Sequence, residues 1–118
     1  MGKLTTHVLD TYHGRPAAGM TLELARLDED WRQPAVVPLL RTVTNQDGRV
    51  SAPLLEGDAL ISAVYQLTFH VSAYYETLGV ESPFLLHVPL RFRIYDASQH
   101  FHVPLLVSPW SYSTYRGS

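Results

Sequence analysis

Two histidines separated by one residue, His100 and His102, are the most conspicuous pair of chemically active side chains in the sequence. In an extended strand, residues two apart project from the same face, so both imidazoles would point the same way. Such a pair can bind a metal ion, but a zinc site would need a third ligand. Histidine is the favoured third ligand, because the chain has no cysteine and no acidic residue directly beside the pair. The spacing alone favours the simpler alternative, a histidine at the rim of the core that hydrogen-bonds locally.

Three more side chains could take part in chemistry. His7 lies in an alternating segment, and a single strand histidine is more often structural than catalytic. Arg49 follows a turn, and its guanidinium could reach a carboxylate, an imide or a developing oxyanion. Arg116 lies near the terminal carboxylate of Ser118, so an ion pair within the tail explains it equally well. Residue types and spacing therefore indicate a pocket without defining its reaction.

Composition argues against several classes of protein. The formal net charge of -2 comes from 9 basic and 11 acidic side chains, with no basic stripe for a nucleic acid or an anionic membrane. The absence of cysteine excludes disulfides, thiolate metal sites and a cysteine nucleophile. The N-terminal residues lack an apolar signal segment, and no run approaches a membrane span. A soluble, cytoplasmic protein is the expectation.

The elements that must position these residues are mostly strands. Short runs rich in valine, leucine, tyrosine, phenylalanine and threonine alternate in polarity and are separated by glycine, proline and aspartate. In the first run Leu4, Thr6 and Val8 share one face, and Thr5, His7 and Leu9 share the other. The pattern predicts about eight strands, at residues 3–10, 20–27, 39–44, 49–52, 63–69, 85–95, 100–107 and 111–115.

Turns and one helix connect the predicted strands. Residues 45–48, with the sequence NQDG, predict a short hairpin turn in which Gly48 can adopt a positive φ. The segment VSAYYETLG predicts a helix of about two turns, with Ser72 as its N-cap and Gly79 at its end. At 118 residues the chain is expected to form one domain. This mainly β set of predicted elements favours a β-sandwich, in which two sheets pack over one core.

Three motifs together resemble a known family. They are LTTHVLD near the start, TNQDGR in the middle and HFHVPLLVSPWSYSTYRGS at the end. In this order they resemble 5-hydroxyisourate hydrolase, the transthyretin-like enzyme of purine and urate breakdown, and YRGS is their most specific part. The resemblance spans nearly the whole chain and implies a single transthyretin-like hydrolase domain over residues 1–118.

The resemblance also implies an assembly and a set of site residues. The implied fold is a sandwich of two four-stranded sheets with one short helix, assembled as a homotetramer with active sites in a central channel. By resemblance, the catalytic positions are His7, Arg49 and His102. The implied substrate-binding positions are His100, Tyr115, Arg116, Gly117 and Ser118.

The residue types suit the implied reaction, in which water opens the six-membered ring of 5-hydroxyisourate to give 2-oxo-4-hydroxy-4-carboxy-5-ureidoimidazoline. One neutral imidazole can take a proton from the water, and the other can position the ring or protonate its leaving nitrogen. Arg49 can stabilise the oxygen that becomes negative. No metal or other cofactor is needed, and the sequence does not say which histidine is the base.

A hormone carrier is the competing interpretation, because transthyretin shares residues similar to SPWSYST. In the carrier branch lysine replaces His7, glutamate replaces Arg49 and threonine replaces His102. The carrier tail also lacks YRGS. Since a fold alone does not give a function, the identity of these positions favours the enzyme over the carrier.

Overall fold

A computed structural model describes residues 1–117 of the chain. Within that part, the elements are nine strands, one α-helix and a single 3-10 turn at Gly57–Ala59. The strands are β1 (Lys3–Asp10), β2 (Arg15–Pro16), β3 (Thr21–Asp28), β4 (Ala35–Val43), β5 (Leu55–Glu56), β6 (Ala63–His70), β7 (His87–Ile94), β8 (Phe101–Val107) and β9 (Tyr112–Thr114). The helix is α1 (Val71–Thr77).

Two sheets pack face to face, as the sequence predicts. One sheet has the order β4-β3-β6-β7, and the other has the order β2-β1-β8-β9, with β5 also paired to β1. The second sheet therefore has five strands rather than the expected four. The difference comes from β2 and β5, which are only two residues long each and are too short to show a periodic pattern.

Alternation along each strand determines which side chains enter the core. In β1 the buried residues alternate with partly exposed ones, and β6 follows the same pattern with Tyr65, Leu67 and Phe69 fully buried. Leu22 of β3 and Leu105 of β8 are also fully buried between the sheets. Each such side chain contributes roughly 1.5–3 kcal/mol of burial free energy, so the core fixes the register of both sheets.

Two local predictions are wrong. The sequence predicts that β4 begins at residue 39, but it begins at Ala35, and a register shift where β3 pairs with β4 breaks the alternation there. Residues 49–52 do not form a strand. The predicted turn before them is present, with Gly48 at φ +75°. The end of this turn is bound to β1, because Val8 donates its N–H to the Gly48 carbonyl at 2.7 Å. The segment therefore docks on β1 and pairs there only through an isolated bridge between Arg49 and His7.

The short helix is present, with its predicted end but not its predicted start. His70 occupies the N-cap position and makes no side-chain capping bond, while Ser72 lies inside the helix and donates its N–H to Leu86 O. Gly79 follows the helix with φ +72° and donates its N–H to Glu76 O, which confirms it as the residue that ends the helix. Seven residues cannot cross a bilayer, and none of the helices in residues 1–117 is long and apolar enough to do so.

A buried carboxylate attaches the helix to β1. The Asp10 side chain is fully inaccessible to solvent and accepts hydrogen bonds from the Tyr74 hydroxyl at 2.7 Å and the Tyr75 hydroxyl at 2.9 Å. His13 adds its backbone N–H at 3.0 Å and its Nδ1 at 2.6 Å. Burial by itself would raise the pKa of Asp10, but these hydrogen bonds outweigh it and hold the pKa below the ordinary 3.8.

Candidate active site

The outward face of the five-stranded sheet carries both predicted catalytic histidines. Strands β1 and β8 run parallel, with Thr5 opposite His102 and His7 opposite Pro104. Because Leu4, Thr6 and Val8 point into the core, Thr5 and His7 point away from it, and His102 does the same on β8. The two imidazoles therefore lie on adjacent strands of one face, offset by two residues.

A rigid turn places Arg49 beside His7. Asn45 organises the turn, because its side-chain oxygen accepts the N–H groups of Asp47 at 2.9 Å and Arg49 at 3.2 Å. His7 donates from Nε2 to the Asp47 carbonyl at 2.8 Å, which joins the turn to the histidine directly. Gly48 has no room for a side chain, because a Cβ there would collide with the Val8 carbonyl oxygen. The turn can therefore approach β1 only with glycine at this position.

His102 is held from two sides. Thr5 Oγ1 lies 2.9 Å from His102 Nδ1. Gly117 pairs with the His102 backbone through two hydrogen bonds, with N–O distances of 2.7 and 3.2 Å. The tail therefore returns to the strand that carries the histidine, and residue 117 lies directly beside it.

The electrostatic environment of His102 favours its neutral form. Partial burial of the imidazole, followed by the nearby positive charge of Arg49 and by His7, lowers the pKa of His102 below the ordinary 6.5. An imidazole in this state is neutral at pH 7 and has a lone pair that can accept a proton.

The remaining predicted substrate-binding residues are not all at this cluster. Arg116 donates from Nη2 to Gln99 Oε1 at 2.9 Å and to the His100 carbonyl at 3.0 Å, and its guanidinium lies 4.4 Å from the centre of the Phe101 ring. Tyr115 is exposed. Tyr115 and Arg116 line a different cavity of about 520 Å³ at the open edge between β7 and β9. Ser118 lies outside the described residues.

His100 lies just before β8 and is exposed, and the contact described for it uses its carbonyl oxygen rather than its imidazole. In residues 1–117, histidine, aspartate and glutamate side chains do not gather in groups of three close enough to hold a metal ion. Within this part of one chain, the pair His100 and His102 therefore has no third ligand of these types.

Sequence reasoning did not assign roles to two groups that contact the histidines. Thr5 is two residues before His7, so strand periodicity places it on the same face, and this signal was available. The Asp47 carbonyl is a backbone group, and residue types do not reveal its direction. A cavity of about 150 Å³ adjoins the cluster and is lined by Thr5 and Arg49, together with residues of the following loop.

Comparison with known proteins gives a consistent family. The model of the HIUase/Transthyretin family matches residues 4–117. The 5-hydroxyisourate hydrolase 2 of Rhizobium meliloti (strain 1021) is 54% identical over 121 residues, which cover 99% of this chain and 97% of that protein. The 5-hydroxyisourate hydrolase of Ralstonia nicotianae is 54% identical over 122 residues and covers 100% of both chains.

Solved structures agree with this assignment. The 5-hydroxyisourate hydrolase of Klebsiella pneumoniae superimposes with a TM-score of 0.81 at 37% identity, over 100% of each chain. Sea bream transthyretin in complex with thyroxine superimposes with a TM-score of 0.87 at 25% identity, over 98% of this chain and 94% of that one. These matches confirm the predicted transthyretin-like sandwich. The chain belongs to the HIUase/Transthyretin family.

Proposed function

We propose that this protein is an enzyme, a 5-hydroxyisourate hydrolase that adds water to a carbonyl of the substrate ring and opens it at the adjacent C–N bond. One observation supports this most directly. His7, Arg49 and His102, which are distant in sequence, meet on one sheet face, and backbone pairing places Arg49 beside His7 and Gly117 beside His102. The full-length similarity to hydrolases at 54% identity supports the same reaction.

In the proposed mechanism His102 is the general base. Its lowered pKa keeps the imidazole neutral at pH 7, so it can take one proton from water while the water oxygen bonds to the carbonyl carbon. Collapse of the tetrahedral intermediate then breaks the C–N bond, and the leaving nitrogen receives a proton.

His7 and Arg49 take the two other roles. Because Nε2 of His7 donates to the Asp47 carbonyl, Nδ1 is the nitrogen left for the substrate. In the neutral ring Nδ1 can accept a hydrogen bond and orient the substrate, and it can protonate the leaving nitrogen only when His7 is an imidazolium with a proton on both nitrogens. Arg49 stays cationic and stabilises the oxyanion, a contribution of roughly 3 kcal/mol for a comparable donor in other enzymes. The tail residues Tyr115, Arg116, Gly117 and Ser118, together with His100, are proposed to shape the substrate pocket.

A homotetramer is the proposed assembly. His7 and His102 project outward from the sheet, so one chain offers an open surface rather than an enclosed pocket. A second chain facing this surface would exclude water and complete the walls, in keeping with the usual closed symmetry of homo-oligomers. The cytoplasmic location also stays a prediction.

The deciding experiment follows the ultraviolet decay of 5-hydroxyisourate, made in place by urate oxidase, with and without the protein. We expect the protein to accelerate the decay, and dialysis against a strong chelator to leave the rate unchanged. His102→Asn and His7→Asn should each reduce kcat by at least a hundredfold, roughly the contribution of a general acid or base. His87→Asn, on an exposed position of the other sheet, is the matched control.

If the wild-type protein left the decay unchanged but bound an aromatic ligand, the carrier interpretation would replace this proposal. Loss of activity on chelation, with recovery on adding zinc, would instead support the metal interpretation of the histidine pair.

A further inference from the structure

We infer that Thr5 is a positioning residue for His102: its hydroxyl oxygen accepts a hydrogen bond from Nδ1–H of the imidazole and so leaves the lone pair on Nε2 for the attacking water. This inference rests on the proposed function, because it explains how the assigned base is kept in its working tautomer.

The position of Thr5 in the sheet supports the contact. Thr5 and His102 are directly opposite each other on the parallel strands β1 and β8, and both side chains project from the outward face. Their Oγ1 and Nδ1 atoms are 2.9 Å apart, a normal hydrogen-bond length. Threonine is branched at Cβ and has few χ1 choices in a strand, so its hydroxyl is held in place at little further entropic cost.

The chemistry of imidazole explains why this contact matters. A neutral imidazole carries its single proton on one nitrogen, and the other nitrogen has the lone pair. A base that must receive a proton at Nε2 therefore has to keep its existing proton at Nδ1. A hydroxyl oxygen near Nδ1 stabilises that tautomer by accepting a hydrogen bond from it.

The same bond survives the proton transfer. When Nε2 takes a proton from water, the product is an imidazolium with an N–H at both nitrogens, and Nδ1 still donates to Thr5. The bond becomes charge-assisted and hence stronger at the moment when the charge develops. If Thr5 donated to Nδ1 instead, the ring proton would be on Nε2, and that nitrogen could not take a proton from water.

Other neighbours fix the ring without choosing its tautomer. Gly117 hydrogen-bonds with the His102 backbone, and a Cβ added to it would lie 3.0 Å from Cδ2 of the ring. The charged or titratable groups that act on His102 are Arg49 and His7. Neither is a described hydrogen-bond partner of Nδ1. Within residues 1–117, Thr5 is thus the group that can select between the two neutral forms of this histidine.

The test uses the full-length protein with ¹⁵N-labelled histidine and three variants. Thr5→Val removes the hydroxyl and keeps the side-chain shape, Thr5→Ser restores the hydroxyl, and Thr68→Val is the control on the outer face of the other sheet. The ¹⁵N shifts of His102, recorded against pH without substrate, report its tautomer and its titration. Steady-state kinetics on 5-hydroxyisourate are measured in parallel.

In the wild-type protein we expect the Nδ1–H tautomer of His102. In Thr5→Val, the neutral Nε2–H form should become populated. The titration of His102 and the acid limb of the kcat profile should both move to lower pH, because the imidazolium has lost an acceptor. We expect kcat to fall about tenfold, part of the usual effect of a general base, with KM nearly unchanged. Thr5→Ser should behave as wild type, and Thr68→Val should change neither readout.

An unchanged tautomer in Thr5→Val, a titration that moves to higher pH, or a Thr5→Ser variant as impaired as Thr5→Val would each overturn the inference. A wild-type protein that does not hydrolyse 5-hydroxyisourate would overturn the proposed function instead. The substrate-free spectra would still decide whether Thr5 selects the tautomer of His102.

Discussion

Gly117 lies so close to His102 that a Cβ added to it would be 3.0 Å from Cδ2 of the imidazole and 3.1 Å from the histidine Cβ. Both distances are shorter than ordinary carbon–carbon contacts. The two residues also exchange two backbone hydrogen bonds, so neither can move away independently. The absence of a side chain at Gly117 therefore allows the tail to pack closely against His102.

Gly117→Ala is expected to displace the His102 ring or the tail by a few tenths of an ångström. Because catalytic geometry tolerates little displacement, kcat/KM should fall by roughly tenfold to a hundredfold, while the melting temperature changes little. Gly14→Ala is the control, since Gly14 has φ +71° and open space around its missing Cβ. It should lower stability through backbone strain and leave kcat/KM unchanged. Full activity in Gly117→Ala would contradict the close fit.

Arg49→Gln is expected to raise the pKa of His102 towards 6.5. Burial and the positive charge of Arg49 lower this pKa in the wild type, so His102 stays unprotonated somewhat below pH 6.5. Without the charge, protonation should begin at higher pH, and the acid limb of the kcat profile should move upwards. The value of kcat itself should fall by a hundredfold or more, because the oxyanion loses its donor. The control is Arg41→Gln, which removes an exposed arginine of the other sheet and should change neither the acid limb nor kcat.

Asp10→Ala is expected to reduce the free energy of unfolding by about 2–4 kcal/mol near pH 7, because the buried Tyr74 hydroxyl loses its acceptor and the Tyr75 hydroxyl keeps only its bond to the Val107 carbonyl. The folded-state pKa of Asp10 is below 3.8, so its ionic contribution is complete above that value and is lost as the pH falls through the folded-state pKa. The difference in unfolding free energy between the wild-type protein and Asp10→Ala, measured with urea, should therefore be smaller near pH 3 than near pH 7. The control Asp30→Ala, at an exposed loop position, should leave the unfolding free energy unchanged at both pH values.

Deletion of residues 115–118 is expected to abolish most activity and preserve the fold. The buried core residues Val8, Leu22, Leu67 and Phe69 are all outside the deleted segment. The deletion removes both backbone bonds to His102 and the contacts of Arg116 with Gln99 and His100. The measurements are melting temperature, oligomer mass and kcat/KM at matched protein concentration, because assembly depends on concentration. Retention of full kcat/KM with unchanged mass would show that the tail has no role in the site.

Two of the longer strands were predictable because their alternation continues over most of eight residues. This holds for β1 and β6, whereas three consecutive buried residues interrupt the alternation of β8, which was predictable from its run of strand-forming residues. The early part of β4 was not predictable. Residues 35–38 include a proline next to a register shift, so the expected period is lost. Ser72 was a reasonable N-cap by residue type, but the chain enters the helix directly from β6, and no cap forms there.

The candidate site was predictable only in part. Strand periodicity put His7 on a face with Thr5 and Leu9, but it could not identify the neighbouring strand, because parallel pairing leaves no local signal in the sequence. The resemblance named His7, Arg49 and His102, and the structure brings all three together. The direction of the Arg116 guanidinium, towards Gln99 and Phe101, depends on a turn whose geometry the motif does not specify.

The parallel pairing of β1 with β8 also affects how the protein acquires activity. Thr5 and His102 are 97 positions apart, and Gly117 joins later still. During synthesis, β3, β4 and β6 can form antiparallel contacts while β1 still has no partner for its open edge towards β8. Contacts between such distant segments form slowly, because the entropy of closing the loop is lost before they stabilise the fold. Catalytic competence should therefore appear later than most of the secondary structure.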